Sequence, residues 1–300
     1  MKDVVVLPGP SSIELGRSIA SCLNVDPVEV ELRTFSDGES KIRINANLLN
    51  KKCIVVQSTY PPVDSHFLQT LMLLSYCNNS GASEVIPVIP YMGYARQDRA
   101  FLEGEFVTMS MIAKLFEYFG THYLLTVDIH STKALSYFNY DIFNISSMPL
   151  LAKYAINNFN LTEPIIVSPD LGGVPRAKEF AGIMNASFLG LRKNRDRFTG
   201  NITMDEKLDI KITNRDIVIL DDMVSSGGTI LKAVDILRNN GCGKVFVMCV
   251  HALSDEKSIN LLKSSGINEM VSTNSIPRSC SKIDLSSEIA RTLSSIMSLG

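Results

Sequence analysis

The chain has almost no net charge. Twenty-nine Lys and Arg stand against 31 Asp and Glu over 300 residues, which leaves −2 at pH 7. No global field therefore draws it to nucleic acid or to an anionic membrane, and any phosphate it binds must be held by local groups. Its six cysteines (Cys22, Cys53, Cys77, Cys242, Cys249 and Cys280) form no CxxC pair. Most sit among apolar neighbours, so they read as buried free thiols rather than disulfides or metal ligands. Met1-Lys2-Asp3-Val4 leads straight into an apolar strand, without a signal h-region or cleavage pattern. No apolar run approaches a membrane span. These absences point to a reducing cytosol. A basic stripe or DNA-binding domain is also missing, and so is the GxxxxGK[ST] of a Walker A loop.

Apolar residues make up 45% of the chain and charged residues 20%, the balance of a globular protein. The length favours two domains. Short β-branched runs at 4–7, 53–57, 85–89 and 123–129, then at 165–168, 216–220, 244–250 and 269–272, read as strands. Segments of helical period lie between them, at 13–23, 66–79, 109–119, 174–184, 229–239 and 256–264. Ser11 and Glu14 have capping-box spacing before the first helix. Strands that are apolar throughout and separated by helices imply parallel sheets covered on both faces. The expected fold is thus α/β, with two doubly wound parallel-sheet domains in tandem. The break falls near 146–149, before a helix at 150–158, giving domains of 1–147 and 148–300. The segment 281–299 reads as an amphipathic helix able to dock on either half, the N-terminal domain included.

The most specific segment runs from Ile217 to Thr229, IVILDDMVSSGGT. An apolar strand ends in two acids, and a turn rich in hydroxyls and glycine then opens a helix. Glycines let backbone N–H groups close on a phosphate, and the helix N-terminus adds positive partial charge. Ser225, Ser226 and Thr229 can donate hydroxyls, while Asp221 and Asp222 can accept hydrogen bonds from a sugar. An ordinary capped helix start would explain one serine, but not the adjacent acids with Gly227, Gly228 and Thr229. The segment suits a sugar bearing one phosphate.

Four other polar stretches follow strands or turns, where open α/β sheets bind ligands. Phe35-Ser36-Asp37-Gly38-Glu39 is a turn with one ring and two acids, by itself ordinary turn chemistry. Tyr94-Ala95-Arg96-Gln97-Asp98-Arg99 offers a guanidinium plane for stacking on a purine and polar groups to read its edge. Asp128-Ile129-His130-Ser131 ends a strand, and a period of two would put Asp128 and His130 on one face, a spacing suited to a metal or its water shell. Residues 192–197 hold four cations, Arg192, Lys193, Arg195 and Arg197. They form either a solvated charge run or a loop that closes on developing phosphate charge.

With these loops in view, the chain resembles the ribose-phosphate diphosphokinases, which share their PRPP-binding motif with type I phosphoribosyltransferases. The resemblance spans nearly the whole chain, with five loops in family order. FLEGE at 101–105 is closest to the short archaeal-type forms. The usual motif has Thr where this chain has Ser226, which retains the hydroxyl; the loop residue Asn194 is often Arg, a departure that keeps both catalytic cations. The resemblance implies an ATP site at Phe35, Asp37, Gly38, Glu39, Arg96, Gln97 and Asp98, with Phe35 and Arg96 from different subunits sandwiching adenine. It implies a ribose 5-phosphate site at Asp221, Asp222, Ser225, Ser226, Gly227, Gly228 and Thr229. Asp128, His130 and Asp170 would attend Mg²⁺, and Lys193 and Arg195 would be the catalytic cations. It also implies a homo-oligomer, and no strict phosphate requirement.

The expected reaction is in-line attack by the ribose 1-hydroxyl on the β-phosphorus of ATP, with AMP leaving. Such transfers need chiefly alignment and charge neutralisation. A phosphoribosyltransferase would account for the phosphate loop but not for the ATP loops. A non-catalytic regulatory relative would be expected to carry damaged loops, and the chemical positions here are intact.

Overall fold

The computed structural model describes residues 3–195, 202–204 and 208–299, with side chains for 3–192 and 208–298. The chain divides into two compact units, Met1–Ile145 with Asp284–Gly300, and Ser146–Ile283. Each is an α/β domain on a parallel sheet, the architecture expected from the alternation of apolar strands and helices.

Unit 1 runs β1 (Val4–Pro8), α1 (Ile13–Cys22), β2 (Val30–Thr34), β3 (Ser40–Ile44), β4 (Lys52–Val56), α2 (Val63–Asn79), β5 (Glu84–Ile89), α3 (Thr108–Tyr118), β6 (Tyr123–Val127), α4 (Thr132–Leu135) and β7 (Asp141–Ile145). Its main sheet has the order β1-β4-β5-β6-β7, parallel throughout. Leu7, Val55, Ile89, Leu73, Leu74 and Phe116 pack in its core. Each such side chain removed from water stabilises by roughly 1.5–3 kcal/mol. β2 and β3 stand apart as an antiparallel hairpin. No strand was expected there, because Val30, Leu32, Ile42 and Ile44 alternate singly with polar residues and form no apolar run. That alternation is itself the signature of a strand with one wet face.

Unit 2 continues with α5 (Met148–Asn158), β8 (Ile165–Ser168), α6 (Val174–Met184), β9 (Ser187–Gly190), β10 (Lys193–Arg195), β11 (Ile202–Met204), β12 (Ile217–Val224), α7 (Gly228–Asn239), β13 (Val245–Ala252), α8 (Glu256–Ser264), β14 (Glu269–Thr273) and β15 (Ser281–Ile283). Its sheet order is β15-β14-β13-β12-β8-β9, again parallel. β10 and β11 pair antiparallel as a separate ribbon. The last helix, α9 (Ser286–Leu299), belongs to unit 1 and buries Ile289, Leu293 and Ile296. The segment 281–299 is therefore a strand followed by a helix, not one helix.

Two local expectations need correcting. β12 does not stop before its acids; its ladder with β13 continues through Asp221↔Cys249 to Val224↔Ala252. Ser11 caps nothing either. The N-cap of α1 is Ser12, which makes no side-chain cap bond. Both serines instead bind the chain after β4: Ser11 Oγ donates to Ser58 O (2.5 Å), and Ser12 Oγ accepts from Ser58 N–H (2.9 Å). Glu14 pairs with Arg17 at the surface.

Candidate functional site

In unit 1 the predicted residues lie at a hairpin tip or in the chain after β5 and β6. In unit 2 Asp221 and Asp222 lie within β12, the hydroxyls and glycines of 225–229 lead from it into α7, Asp170 follows β8, and Lys193 and Arg195 stand on β10. In unit 1, Phe35–Glu39 form the tip of the β2–β3 hairpin, closed by Phe35 N–H to Glu39 O at 2.9 Å. Asp37 Oδ1 accepts the Glu39 amide at 3.1 Å, and Gly38 sits at φ 93°, where a side chain would be strained. Phe35 is 37% exposed. One face of its ring carries a guanidinium the sequence reading missed: Arg33 Cζ lies 4.9 Å from the centroid. Ser40, next to the tip, accepts from Gln69 on α2, and at the foot of the hairpin Tyr76 OH donates to Ile44 O.

The 94–99 loop is built outward from a buried acid. Arg99 meets Asp98 with Nε and Nη2 at 3.0 and 2.9 Å, and Ser131 Oγ donates to the same carboxylate. Tyr137 OH reaches Asp98 O at 2.7 Å. The Arg99 hydrogen bonds, with help from Ser131, hold the Asp98 carboxyl down at about 2. This arrangement fastens the loop to the chain after β6 and leaves Arg96 and Gln97 exposed. Thr108 Oγ1 donates to Gln97 Oε1, which orients that amide. Gly93 has to be glycine, since a Cβ there would lie 2.7 Å from Thr59 O.

Asp128 follows the end of β6, at φ 39°, with its N–H on Ile145 O at 2.9 Å. The backbone has left the strand, so strand alternation does not carry on to His130 as expected. Asp128 is buried and His130 exposed. Among the described residues, no three or more His, Cys, Asp or Glu are grouped to hold a metal. A hard cation that keeps waters and substrate phosphates needs only one or two protein oxygens, and the Asp128 carboxylate fits that demand.

In unit 2, α7 starts at Gly228 after Gly227 at φ 77°, and no side chain caps it. A Cβ on Gly228 would meet only Ser226 Oγ, at 3.8 Å. The fold therefore makes no demand for glycine at that position. Ser225 and Ser226 are exposed. Asp222 is buried and pairs with Arg176 of α6 at 3.5 Å, a partner the sequence did not single out. Asp221 Oδ1 accepts the Asp222 amide at 2.9 Å. Burial, and then the Asp222 charge, push Asp221 up to about 8. Asp170 accepts Gly173 N–H at 3.0 Å and so braces the start of α6. Lys193 and Arg195 stand on β10, and their side chains lie outside the described residues. A cavity of 760 Å³ at Val4, Arg17, Ser21 and Asp26 lies beside the start of β1, away from the carboxyl ends, and holds none of the predicted residues.

The raised Asp221 has a thermodynamic signature. Its folded pKa exceeds the unfolded value near 4, so between about pH 4 and 8 the folded state holds a proton that the unfolded state has lost. That contribution to stability is complete below about pH 4 and is lost as pH rises through about 8. Wild-type Tm should thus fall between pH 5 and 8.5 more steeply than that of Asp221→Asn. Parallel Tm curves would mean that Asp221 is already ionised in the folded protein.

Comparison with known proteins gives the family. The model of the N-terminal domain of ribose phosphate pyrophosphokinase matches residues 4–120, and the phosphoribosyl transferase domain matches 146–279. The chain is 33% identical to a ribose-phosphate pyrophosphokinase of Sulfurisphaera tokodaii, over 97% of this chain and 100% of the relative. It is also 33% identical to one of Methanobrevibacter smithii, over 96% and 99% respectively. The phosphoribosylpyrophosphate synthetase of Mycobacterium smegmatis has the same fold. It superposes with a TM-score of 0.89 at 22% identity, over 99% of this chain and 100% of that one.

Proposed function

The chain belongs to the ribose-phosphate pyrophosphokinase family, and on that premise we propose how its residues divide the work. The enzyme transfers the diphosphoryl group of ATP to the 1-hydroxyl of ribose 5-phosphate, giving PRPP and AMP. The observation that carries the assignment within the chain is the β12–α7 loop. It follows the two acids of β12 with three hydroxyls and an uncapped helix start, and carries a glycine, Gly228, for which no contact within the chain calls.

Ribose 5-phosphate would be held by Ser225, Ser226, Gly227, Gly228 and Thr229 at its phosphate and by Asp221 at its hydroxyls, with Asp222 fixed by Arg176. Unit 1 would bind ATP through the hairpin tip and through Arg96 and Gln97. Asp98 serves that loop from beneath, because Arg99 and Ser131 already occupy its carboxylate. Lys193 and Arg195 would neutralise charge that grows at the transferring group. Mg²⁺ would supply further charge neutralisation, with Asp128 and His130 as the residues of unit 1 that would hold it; Asp170 in unit 2 is the other residue the family resemblance names for this role. The cysteines are free thiols, as a reducing cytosol would keep them, and no described helix is long and apolar enough to cross a membrane. ³¹P NMR of ATP, ribose 5-phosphate and Mg²⁺ with the protein should show AMP and a diphosphoryl sugar; ADP as the product would reject this reading.

The ATP site would be completed by a second copy of the chain. The hairpin packs Val30, Ile42 and Ile44 against the core of unit 1, while Leu32 and Phe35 at its other face and tip stay exposed. Among the described residues, the cation over Phe35 is Arg33 rather than Arg96. Phe35→Ala should raise the KM for ATP about tenfold, since a stacking face contributes roughly 1–3 kcal/mol. The KM for ribose 5-phosphate should hold. Mixed Phe35→Ala and Arg96→Ala subunits should regain part of the activity; no recovery in subunits shown to exchange would place both residues in one chain's pocket.

A further inference from the structure

A loop that binds an anion through backbone N–H groups has a complementary requirement. Its carbonyl oxygens must be held elsewhere, because a carbonyl dipole turned toward phosphate repels it. In unit 2 the two carbonyls at the entrance of the loop, Val224 O and Ser225 O, are both engaged by one residue. Ser254, in the turn after β13, gives its N–H to Val224 O at 3.0 Å. Its hydroxyl lies 2.5 Å from Ser225 O and 3.1 Å from Val224 O. A hydroxyl has one proton, and the shorter path runs to Ser225 O.

Ser254 is itself buried and held from behind. It is 2% exposed. Arg278 Nε donates to Ser254 O at 2.8 Å. Two further bonds fix the same turn: Asp255 caps α8 by accepting from Ser258 N–H at 2.8 Å, and Glu256 accepts from Ser279 N–H at 3.0 Å. The result is a chain of contacts from the 278–279 segment through Ser254 to the start of the 225–229 loop, with the Ser254 hydroxyl as the link that touches it.

We infer that Ser254 is a positioning residue for ribose 5-phosphate: it ties back the Val224 and Ser225 carbonyls so that the loop presents N–H groups and hydroxyls to the sugar phosphate. It acts through the loop and does not touch the ligand. The inference rests on reading the 225–229 loop as the ribose 5-phosphate site, so its test includes a variant of that loop.

Ser254→Ala leaves the Ser225 carbonyl without its donor and free to turn toward the phosphate, and should raise the KM and Kd for ribose 5-phosphate about tenfold. The KM for ATP and kcat at saturation should be nearly unchanged. Ser254→Cys keeps only a weak donor and should fall between Ala and wild type. Arg278→Met, which removes the support behind Ser254, should weaken ribose 5-phosphate in the same direction and serves as the readout if Ser254→Ala does not fold. Gly228→Val is measured in parallel by calorimetry with ribose 5-phosphate and ATP separately. If Gly228→Val loses ribose 5-phosphate while Ser254→Ala and Arg278→Met bind it normally, the positioning role is overturned and the site assignment stands. If Gly228→Val also binds normally, the site assignment fails, and this inference fails with it. Equal loss of both substrates in the Ser254 series would reduce Ser254 to general support of the fold and overturn the inference as well.

Discussion

Gly228→Val should raise the KM and Kd for ribose 5-phosphate by about 10²-fold or more, with the melting temperature nearly unchanged. The two halves of that result have separate causes. A Cβ at Gly228 would meet only Ser226 Oγ, at 3.8 Å, which is ordinary contact. The backbone there is helical, and valine is at least as good a helix residue as glycine. No atom of the chain crowds a Cβ at this position, so the fold should tolerate the substitution. A phosphate drawn onto the start of α7 would meet the new methyl groups first. Losing two hydrogen bonds to a charged ligand costs about 3–4 kcal/mol, and each 1.4 kcal/mol is tenfold in affinity. Gly227 makes a useful contrast. Its φ of 77° and a Cβ position 3.0 Å from Leu262 predict that a side chain there would harm the fold itself. Normal ribose 5-phosphate affinity in a folded Gly228→Val protein would remove this loop from the sugar-phosphate site.

What could be read from the sequence follows from which forces are local. Strands buried on both faces announce themselves as apolar runs, and so β4, β5, β8 and β13 were legible to within a residue or two. The β2–β3 hairpin escaped because its apolar residues come one at a time. The end of β12 was misplaced because two acids look like a strand end, whereas pairing with β13 carries the strand past them. The candidate loops stood out because glycine and hydroxyl clusters have few other uses. Their supports did not. Arg176 meets Asp222, and Ser254 meets Ser225, 29 residues away, only once the sheet is assembled. Asp98 looked like a ligand-reading acid, and only the fold reveals that Arg99 and Ser131 already use its carboxylate.

Lys193→Ala should lower kcat by about 10²-fold or more while leaving the affinity for each substrate close to normal. The argument begins with charge. The chain carries −2 overall, so the charge developing on a transferred diphosphoryl group must be met by local cations. The densest supply in the sequence is Arg192, Lys193, Arg195 and Arg197, at β10 and the residues around it. A cation that met ATP equally in ground and transition states would lower KM without raising kcat. The two parameters therefore separate binding from catalysis. Lys193→Arg keeps the charge on a different geometry and should recover part of the rate. Arg195→Ala should resemble Lys193→Ala. If both cations face the same developing charge, the double variant should lose less than the product of the two single effects. Single-turnover kinetics at saturating ATP and ribose 5-phosphate isolates the chemical step. A Lys193→Ala enzyme with normal single-turnover rate and a raised KM for ATP would make Lys193 a nucleotide-binding residue and leave the transition-state charge to Arg195.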